Sequence, residues 1–350
     1  MRKIIIILDG VADCGKRTSL TLARKPNLNY LCKNSLVGLM RPIRGIAPES
    51  GESQFVILGN NVKDYPGRGL VEALGVNINI DEKNVYLRCN FAEFKNKIIK
   101  KIRTEIPNKD LIDKINKINR NIKIIPTIGY RAIMIVKNGS KNITNTHPGY
   151  KIKNGISNAV FPKNAKLKCY GDEITSSMIN NFILKVDKLL KNKTIIFRGP
   201  GNKIPKLKKL KNWVLFGEMP IEIGLAKLLG IKVLPRKNII ETIIKTKKNA
   251  YIQIKGPDIY GHLGNLNKKI KSIEEIDKMI RPLTKLKNVI ICITADHATP
   301  FQLKRHSKHP VPILIYGKGK DNIEEFDEYH CRKGSLNLEG KDLMNFLQKL

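Results

Sequence analysis

No stretch of about 18 consecutive apolar residues occurs in this chain, so no membrane-spanning helix is expected. The apolar run Ile4–Leu8 falls short of the roughly 7–15 residues of a signal-peptide core, which points to a cytoplasmic protein. Cysteine is sparse and unpaired in sequence. Cys14, Cys32, Cys89, Cys169, Cys292 and Cys331 are scattered without a C-x-x-C step, which excludes a disulfide framework and a zinc knuckle and reads as reduced thiols. Acidic residues are scarce beside basic ones, 30 against 65, giving a formal net charge of +35. That excess would ordinarily suggest nucleic acid. Aromatics are only 6% of the chain and are not interleaved with the basic runs, so no base-stacking platform is visible. The lysines spread along the whole chain and alternate with apolar residues, as solvated helix faces do. Nucleic acid is therefore not the expected partner, whereas a positive field would help gather a small anionic substrate. No internal repeat is apparent.

What the chain does hold is a set of β-branched runs that end in metal-ligating residue types. Val289–Ile293 reads as a strand covered on both faces, and it runs into Asp296-His297. Ile4–Leu8 reads as a central strand, with Asp9-Gly10 at its carboxyl end. Tyr251–Ile254 gives a third strand, followed by Asp258 and His262, four residues apart and able to aim at one point from a helical turn or a compact loop. His306 follows Asp296-His297 closely enough to return to the same rim. Functional residues of open α/β sheets sit at strand carboxyl ends, and hard oxygen with imidazole nitrogen suits Zn²⁺, Mn²⁺ or Fe. The chain has six histidines, and three of them fall in these places.

Gly45–Glu52 reads as a loop containing Ser50, with a helix or strand at Gln54–Leu58. A serine there could be a nucleophile activated by metal or by a helix N-terminus; the alternative is a plain N-cap role for Ser50 or Ser53. The pattern then changes. Between about Val76 and Leu210 the strands shorten and polar loops increase, and Arg88, Arg131 and Arg198 stand in or beside strands. An arginine fork matches phosphate or carboxylate oxygens, although surface salt bridging would use the same residues. From Trp213 the α/β pattern resumes, with a helix at Ile221–Leu229, a helix at Ser272–Leu286 and a strand at Val311–Tyr316. The expected organisation is a discontinuous core, 1–75 and 211–350, interrupted by an insert at 76–210.

ILDG at the start, APES around Ser50, GRGLVEALG, LRCNF, FRGPG, PDIYGH, ADHATP and HSKHPVP occur in an order that resembles the archaeal branch of the cofactor-independent phosphoglycerate mutases, within the alkaline phosphatase superfamily. The resemblance covers nearly the whole chain. It implies an alkaline-phosphatase-like three-layer α/β core with a mostly parallel sheet, plus an inserted smaller α+β domain that closes over substrate. It implies an isomerase that interconverts 3-phosphoglycerate and 2-phosphoglycerate through a phosphoserine at Ser50. One divalent metal would be held by Asp9, Ser50, Asp296 and His297, and a second by Asp258, His262 and His306. Mn²⁺ is the first choice, with Zn²⁺, Co²⁺ or Mg²⁺ compatible, and no 2,3-bisphosphoglycerate is required. Arg68, Arg88, Asn90, Arg131 and Arg198 would meet the substrate. The chain departs from the family pattern at Ser50-Gly51, at Gln54 and at Asn60-Asn61-Val62. Those departures keep open a metal-dependent phosphatase or phosphotransferase acting on another small phosphoester.

Overall fold

The computed structural model describes residues 1–162 and 165–350. The strands in chain order are β1 (Arg2–Leu8), β2 (Ser35–Arg41), β3 (Val85–Lys95), β4 (Ile98–Lys101), β5 (Ile122–Pro126), β6 (Arg131–Val136), β7 (Tyr150–Lys153), β8 (Ile156–Ala159), β9 (Lys193–Gly201), β10 (Trp213–Phe216), β11 (Lys232–Leu234), β12 (Asn249–Ile254), β13 (Val289–Thr294), β14 (Val311–Tyr316) and β15 (Leu336–Glu339). They fall into two compact units. One comprises 1–63, 208–218 and 229–350; the other comprises 64–207 and 219–228.

The first unit is built on an eight-stranded sheet of order β11-β10-β12-β1-β13-β14-β2-β15. Its pairings are parallel except where β14 meets β13 and β2. Ile4 to Ile7 are fully buried, which is why β1 reads as continuous apolar residues rather than an alternation. Ile4 stands in register with Ala250 on one side and Ile291 on the other. Three neighbouring parallel strands therefore end together, and Asp9, Asp258 and Asp296 all follow those ends. The helix after β12 spans Pro257–Leu263, so Asp258 and His262 do share a helical turn. The helix expected at Ser272–Leu286 runs instead from Leu266 to Ile280, followed by a 3₁₀ turn at Arg281–Lys285. Pro282, which lacks an amide donor, sits at that change of hydrogen bonding.

The second unit centres on β3, which pairs antiparallel with β4, β6 and β9. Its alternation sorts two faces. Val85, Leu87, Cys89 and Phe91 pack with Ile112, Ile115, Ile179, Phe182 and Val186 from two helices, Lys109–Lys117 and Glu173–Leu190. Tyr86 on the opposite face packs with Leu70, Ala73 and Ile133. The unit takes in 64–75 and 219–228 beside most of the expected 76–210 insert, and its first segment ends at 207. The helix Arg68–Gly75 belongs here because Gly69 lies against the Tyr86 carbonyl, where any Cβ would collide. Gly224, in the helix Pro220–Leu229, lies equally close to the Val71 carbonyl. The 18-residue helix Glu173–Leu190 was not anticipated from sequence. Among the described residues no helix is long and apolar enough to cross a membrane.

Candidate functional site

In the first unit, the carboxyl ends of β1, β12 and β13 bring two donor groups together: Asp9, Asp296 and His297, and Asp258, His297 and His306. The Asp9-Gly10 turn fits only because residue 10 is glycine. Its φ is +59°, and a Cβ would lie 2.7 Å from Asp258 Oδ1. His306 reaches the rim because the chain folds back, with the Ser307 amide donating to the Ala298 carbonyl at 2.9 Å. Ser50 opens the helix Ser50–Ile57, and its Oγ lies 3.1 Å from His297 Nε2. The cap of that helix is Glu49, whose side chain pairs reciprocally with the Glu52 end of a capping box. Neither Ser50 nor Ser53 is the N-cap. Ser53 lies inside the helix and is fully buried.

The ring contacts fix the tautomers. His306 Nδ1 donates to the Pro48 carbonyl at 2.7 Å, and His262 Nδ1 to the Lys304 carbonyl at 3.1 Å, since a carbonyl can only accept. Thr299 Oγ1 donates to Asp258 Oδ1 at 2.7 Å, so it accepts from His297 Nδ1 at 3.0 Å. Each Nε2 thus turns a lone pair inward. His297 Nε2 lies 3.4 Å from Asp9 Oδ1 and 3.6 Å from Asp296 Oδ2. His262 Nε2 and His306 Nε2 lie 3.5 and 3.6 Å from Asp258 Oδ1. Acceptor facing acceptor is repulsive unless a cation stands between them. Asp296 Oδ1 is buried and has no hydrogen-bond partner, while Oδ2 accepts from Gln253 Nε2 at 2.8 Å. Burial and the neighbouring His297 hold the His306 imidazole well below its ordinary pKa, hence neutral. Asp258 goes the opposite way. Burial opposes its ionisation, while positive charge placed among His262, His297 and His306, with the Thr299 hydroxyl, favours it and brings its carboxyl below the usual carboxylate range. Neutral imidazole and ionised carboxylate are the forms that bind metal. This donor set fits divalent cations.

In the second unit, sheet register gathers the arginines. Arg88 on β3 pairs with Arg198 on β9, and Asn90 pairs with Arg131 on β6. Arg68 and Glu72 come from the helix docked beside them. Arg68, Arg88 and Arg198 are at most 8% exposed, which removes the surface-salt-bridge reading for them. Arg88 Nε has no hydrogen-bond partner, and Asn90 Oδ1 has none either. Arg198 stacks its guanidinium 4.1 Å over the Tyr150 ring.

A family model described as 2,3-bisphosphoglycerate-independent phosphoglycerate mutase matches residues 32–195, and one described as the metalloenzyme superfamily matches residues 227–350. The probable 2,3-bisphosphoglycerate-independent phosphoglycerate mutase of Thermotoga sp. (strain RQ2) is 30% identical over 378 residues, covering 97% of this chain and 92% of the relative. This chain belongs to the 2,3-bisphosphoglycerate-independent phosphoglycerate mutases. The second enzyme of that name from Methanocaldococcus jannaschii is 29% identical, covering 99% of this chain and 92% of its own. Among solved structures, the cofactor-independent phosphoglycerate mutase from Thermoplasma acidophilum aligns with a TM-score of 0.60 at 24% identity over 100% of both chains. The PH0037 protein from Pyrococcus horikoshii aligns at 0.77 and 22% identity, over 99% of this chain and 96% of its own. These two likenesses concern the fold.

Against this mutase background, sequence reasoning missed the groups that aim the donors. Thr299 carries a hydroxyl between His297 and Asp258. Gln253 is a fully enclosed polar side chain on an otherwise apolar strand, a signal that was readable. Lys255 Nζ lies 3.2 Å from Gln253 Oε1 and 3.5 Å from Asp9 Oδ2. In the second unit, Glu72 and the Arg103–Tyr130 stack were also missed.

Proposed function

We infer that this mutase interconverts 3-phosphoglycerate and 2-phosphoglycerate without 2,3-bisphosphoglycerate, with Ser50 as the carrier of the phosphoryl group. The observation that carries the role of Ser50 is its place at a helix N-terminus with Oγ 3.1 Å from His297 Nε2, beside a convergent carboxylate and imidazole set. Asp9, Asp296, His297 and Ser50 would hold one divalent ion, and Asp258, His262 and His306 the other, with Mn²⁺ the first choice. When bound, such ions stabilise charge on phosphoryl oxygens and make a serine hydroxyl easier to ionise. Ser50 Oγ forms the new bond to phosphorus while the bond to the glycerate oxygen breaks, and that oxygen takes up a proton. The freed glycerate turns within the protein, its other hydroxyl attacks the phosphoserine, and Ser50 regains its proton. Arg68, Arg88, Asn90, Arg131 and Arg198 would hold the carboxylate and the phosphate through this turn. Excluding water at that stage protects the phosphoserine from hydrolysis, which is the part we assign to closure of the insert.

The test is phosphorus NMR of 3-phosphoglycerate incubated with purified protein free of bisphosphoglycerate. The 2-phosphoglycerate resonance should appear with little free phosphate, disappear after chelation and return with added Mn²⁺. Release of phosphate without isomer would make the protein a phosphatase of the same superfamily.

A further inference from the structure

We propose that Glu72 is the positioning residue of the arginine face, fixing Arg68 and Arg88 as the fork that grips phosphoglycerate; this rests on the mutase reading above. Glu72 is 1% exposed, and its Oε1 accepts from Arg68 Nε at 2.7 Å across one helical turn. The same oxygen lies 3.8 Å from Arg88 Nε. One carboxylate oxygen therefore hydrogen-bonds one guanidinium and lies within ion-pair distance of a second that comes from another element. Glu72 Oε2 has no hydrogen-bond partner although it is buried.

The glycines of the two surrounding motifs make this contact possible. Gly67 lies against the Pro200 carbonyl, Gly69 against that of Tyr86, and Gly199 against Arg68 itself; a Cβ at any of these would collide. The helix can thus approach β3 and β9 closely enough for a side chain on its surface to meet one on the strand. The charge pattern argues that Glu72 does more than balance the site. Four guanidiniums gather here, with Arg68, Arg88 and Arg131 facing the Glu72 carboxylate and Arg198 beside Arg88, which leaves a surplus of three positive charges. A phosphate dianion plus a carboxylate carries the matching three negative charges. Burial, with Arg198, Arg68 and Arg131 beside it and Glu72 opposing, pulls the Arg88 guanidinium down to about 9. It is still charged near neutrality and has no hydrogen bond at Nε. A buried cation in that state calls for an anionic ligand. By charge alone, Glu72 would weaken anion binding. Its presence at the centre of the face is explained by geometry: without it, like charges would push Arg68 and Arg88 apart.

The two views predict opposite signs. In the metal-loaded enzyme, KM for 3-phosphoglycerate is measured for wild type, Glu72→Gln and Glu72→Asp. The dissociation constant is measured by calorimetry in a Ser50→Ala background, where no transfer occurs. Both Glu72 variants are expected to raise KM and the dissociation constant for 3-phosphoglycerate at least tenfold, and KM for a small aryl phosphate, which lacks the carboxylate, by a clearly smaller factor. Tighter binding by Glu72→Gln would make Glu72 a mere opposing charge and overturn the proposal. Wild-type affinity in Glu72→Asp, which keeps the charge and shortens the arm, would overturn it too. So would equal loss on the aryl phosphate, because that marks a structural role. If Glu72→Gln does not fold, Glu72→Asp decides. A wild type that binds 3-phosphoglycerate but forms no isomer would defeat the mutase reading alone, leaving the dissociation constants to judge Glu72. No binding at all in the Ser50→Ala background would defeat both.

Discussion

His297 and His306 lie ring on ring, with centroids 3.7 Å apart and planes within 17°. Two imidazolium ions could not stack this way in a buried site without heavy mutual repulsion. Burial and the presence of His297 keep His306 neutral, and the stack sets the two donor groups side by side. His297 directs Nε2 toward Asp9 and Asp296, while His306 directs Nε2 toward Asp258.

The donor assignment is tested by removal of single ligands. Asp258→Ala, Asp296→Ala and His306→Ala are each expected to lose at least a hundredfold in turnover, equivalent to a barrier about 2.7 kcal/mol higher. Metal content per chain, read by elemental mass spectrometry after desalting, should fall with activity, while circular dichroism stays that of the folded protein. More than about a tenth of wild-type activity in any two of them would defeat the assignment.

Far from those donors in function, Glu328 gives the chain a pH signature. Its Oε1 accepts from the Asp13 amide at 2.8 Å and its Oε2 from the Thr18 hydroxyl at 2.7 Å. Burial pushes its carboxyl up to about 7 despite those bonds, with the nearby Asp13 adding to the rise. Between the usual carboxyl range and about 7 the folded chain holds a proton that the unfolded chain has lost. Stability from this group is therefore present at low pH and lost as pH rises through 7. Glu328→Gln, measured by urea unfolding at pH 5 and pH 8, should gain on wild type at the higher pH. The gain is at most about 3 kcal/mol, and less for a residue that keeps some solvent contact. An equal difference at the two pH values would show that Glu328 does not titrate in this window.

The strands leading to Asp9, Asp258 and Asp296 were legible because β1, β12 and β13 are buried on both faces, so β1 and β13 are nearly continuous aliphatic runs and β12 is buried around Tyr251, Ile252 and Ile254. The ring orientations were not. They depend on Thr299, Pro48 and Lys304, which act through contacts across the rim that no local pattern encodes. Ser53 was misplaced for a different reason: a serine ahead of an apolar run looks like a cap, but Glu49 fills that role with Glu52. GRGLVEALG was legible as a loop and helix. That its glutamate would meet Arg88 from β3 as well as Arg68 of its own helix depends on the glycine contacts between motifs distant in sequence.

The arginine face should separate binding from chemistry. Arg88→Ala is expected to raise KM for 3-phosphoglycerate at least tenfold and KM for an aryl phosphate by a clearly smaller factor. A charged hydrogen bond is worth about 1.5–3 kcal/mol, and the aryl ester lacks the carboxylate that the face would hold. Arg131→Ala and Arg198→Ala should follow the same pattern. Matched losses on the two substrates would indicate that these arginines touch only the phosphoryl group or serve only the fold.

Ser50 and Ser53 lie three residues apart in one helix and should behave as opposites. Ser50 is the first residue of the helix, partly exposed, with Oγ 3.1 Å from His297 Nε2. Ser53 is one turn on, fully buried, and its hydroxyl has no hydrogen-bond partner. Ser50→Ala is therefore expected to abolish isomerisation while thermal stability stays near wild type and metal content falls less than on loss of a carboxylate or histidine ligand. Ser53→Ala removes an unsatisfied buried hydroxyl and introduces a better helix former, so it should leave activity intact and leave stability unchanged or raise it by up to about 1 kcal/mol. A cap role would have predicted a loss of about that size, which makes the sign of the change in melting temperature decisive. Peptide mapping of enzyme quenched with 3-phosphoglycerate should place phosphate on the Ala47–Gly51 segment. Phosphate on Ser53, or isomerase activity in Ser50→Ala, would transfer the nucleophile's role away from the helix start and break the link between His297 and the reacting oxygen.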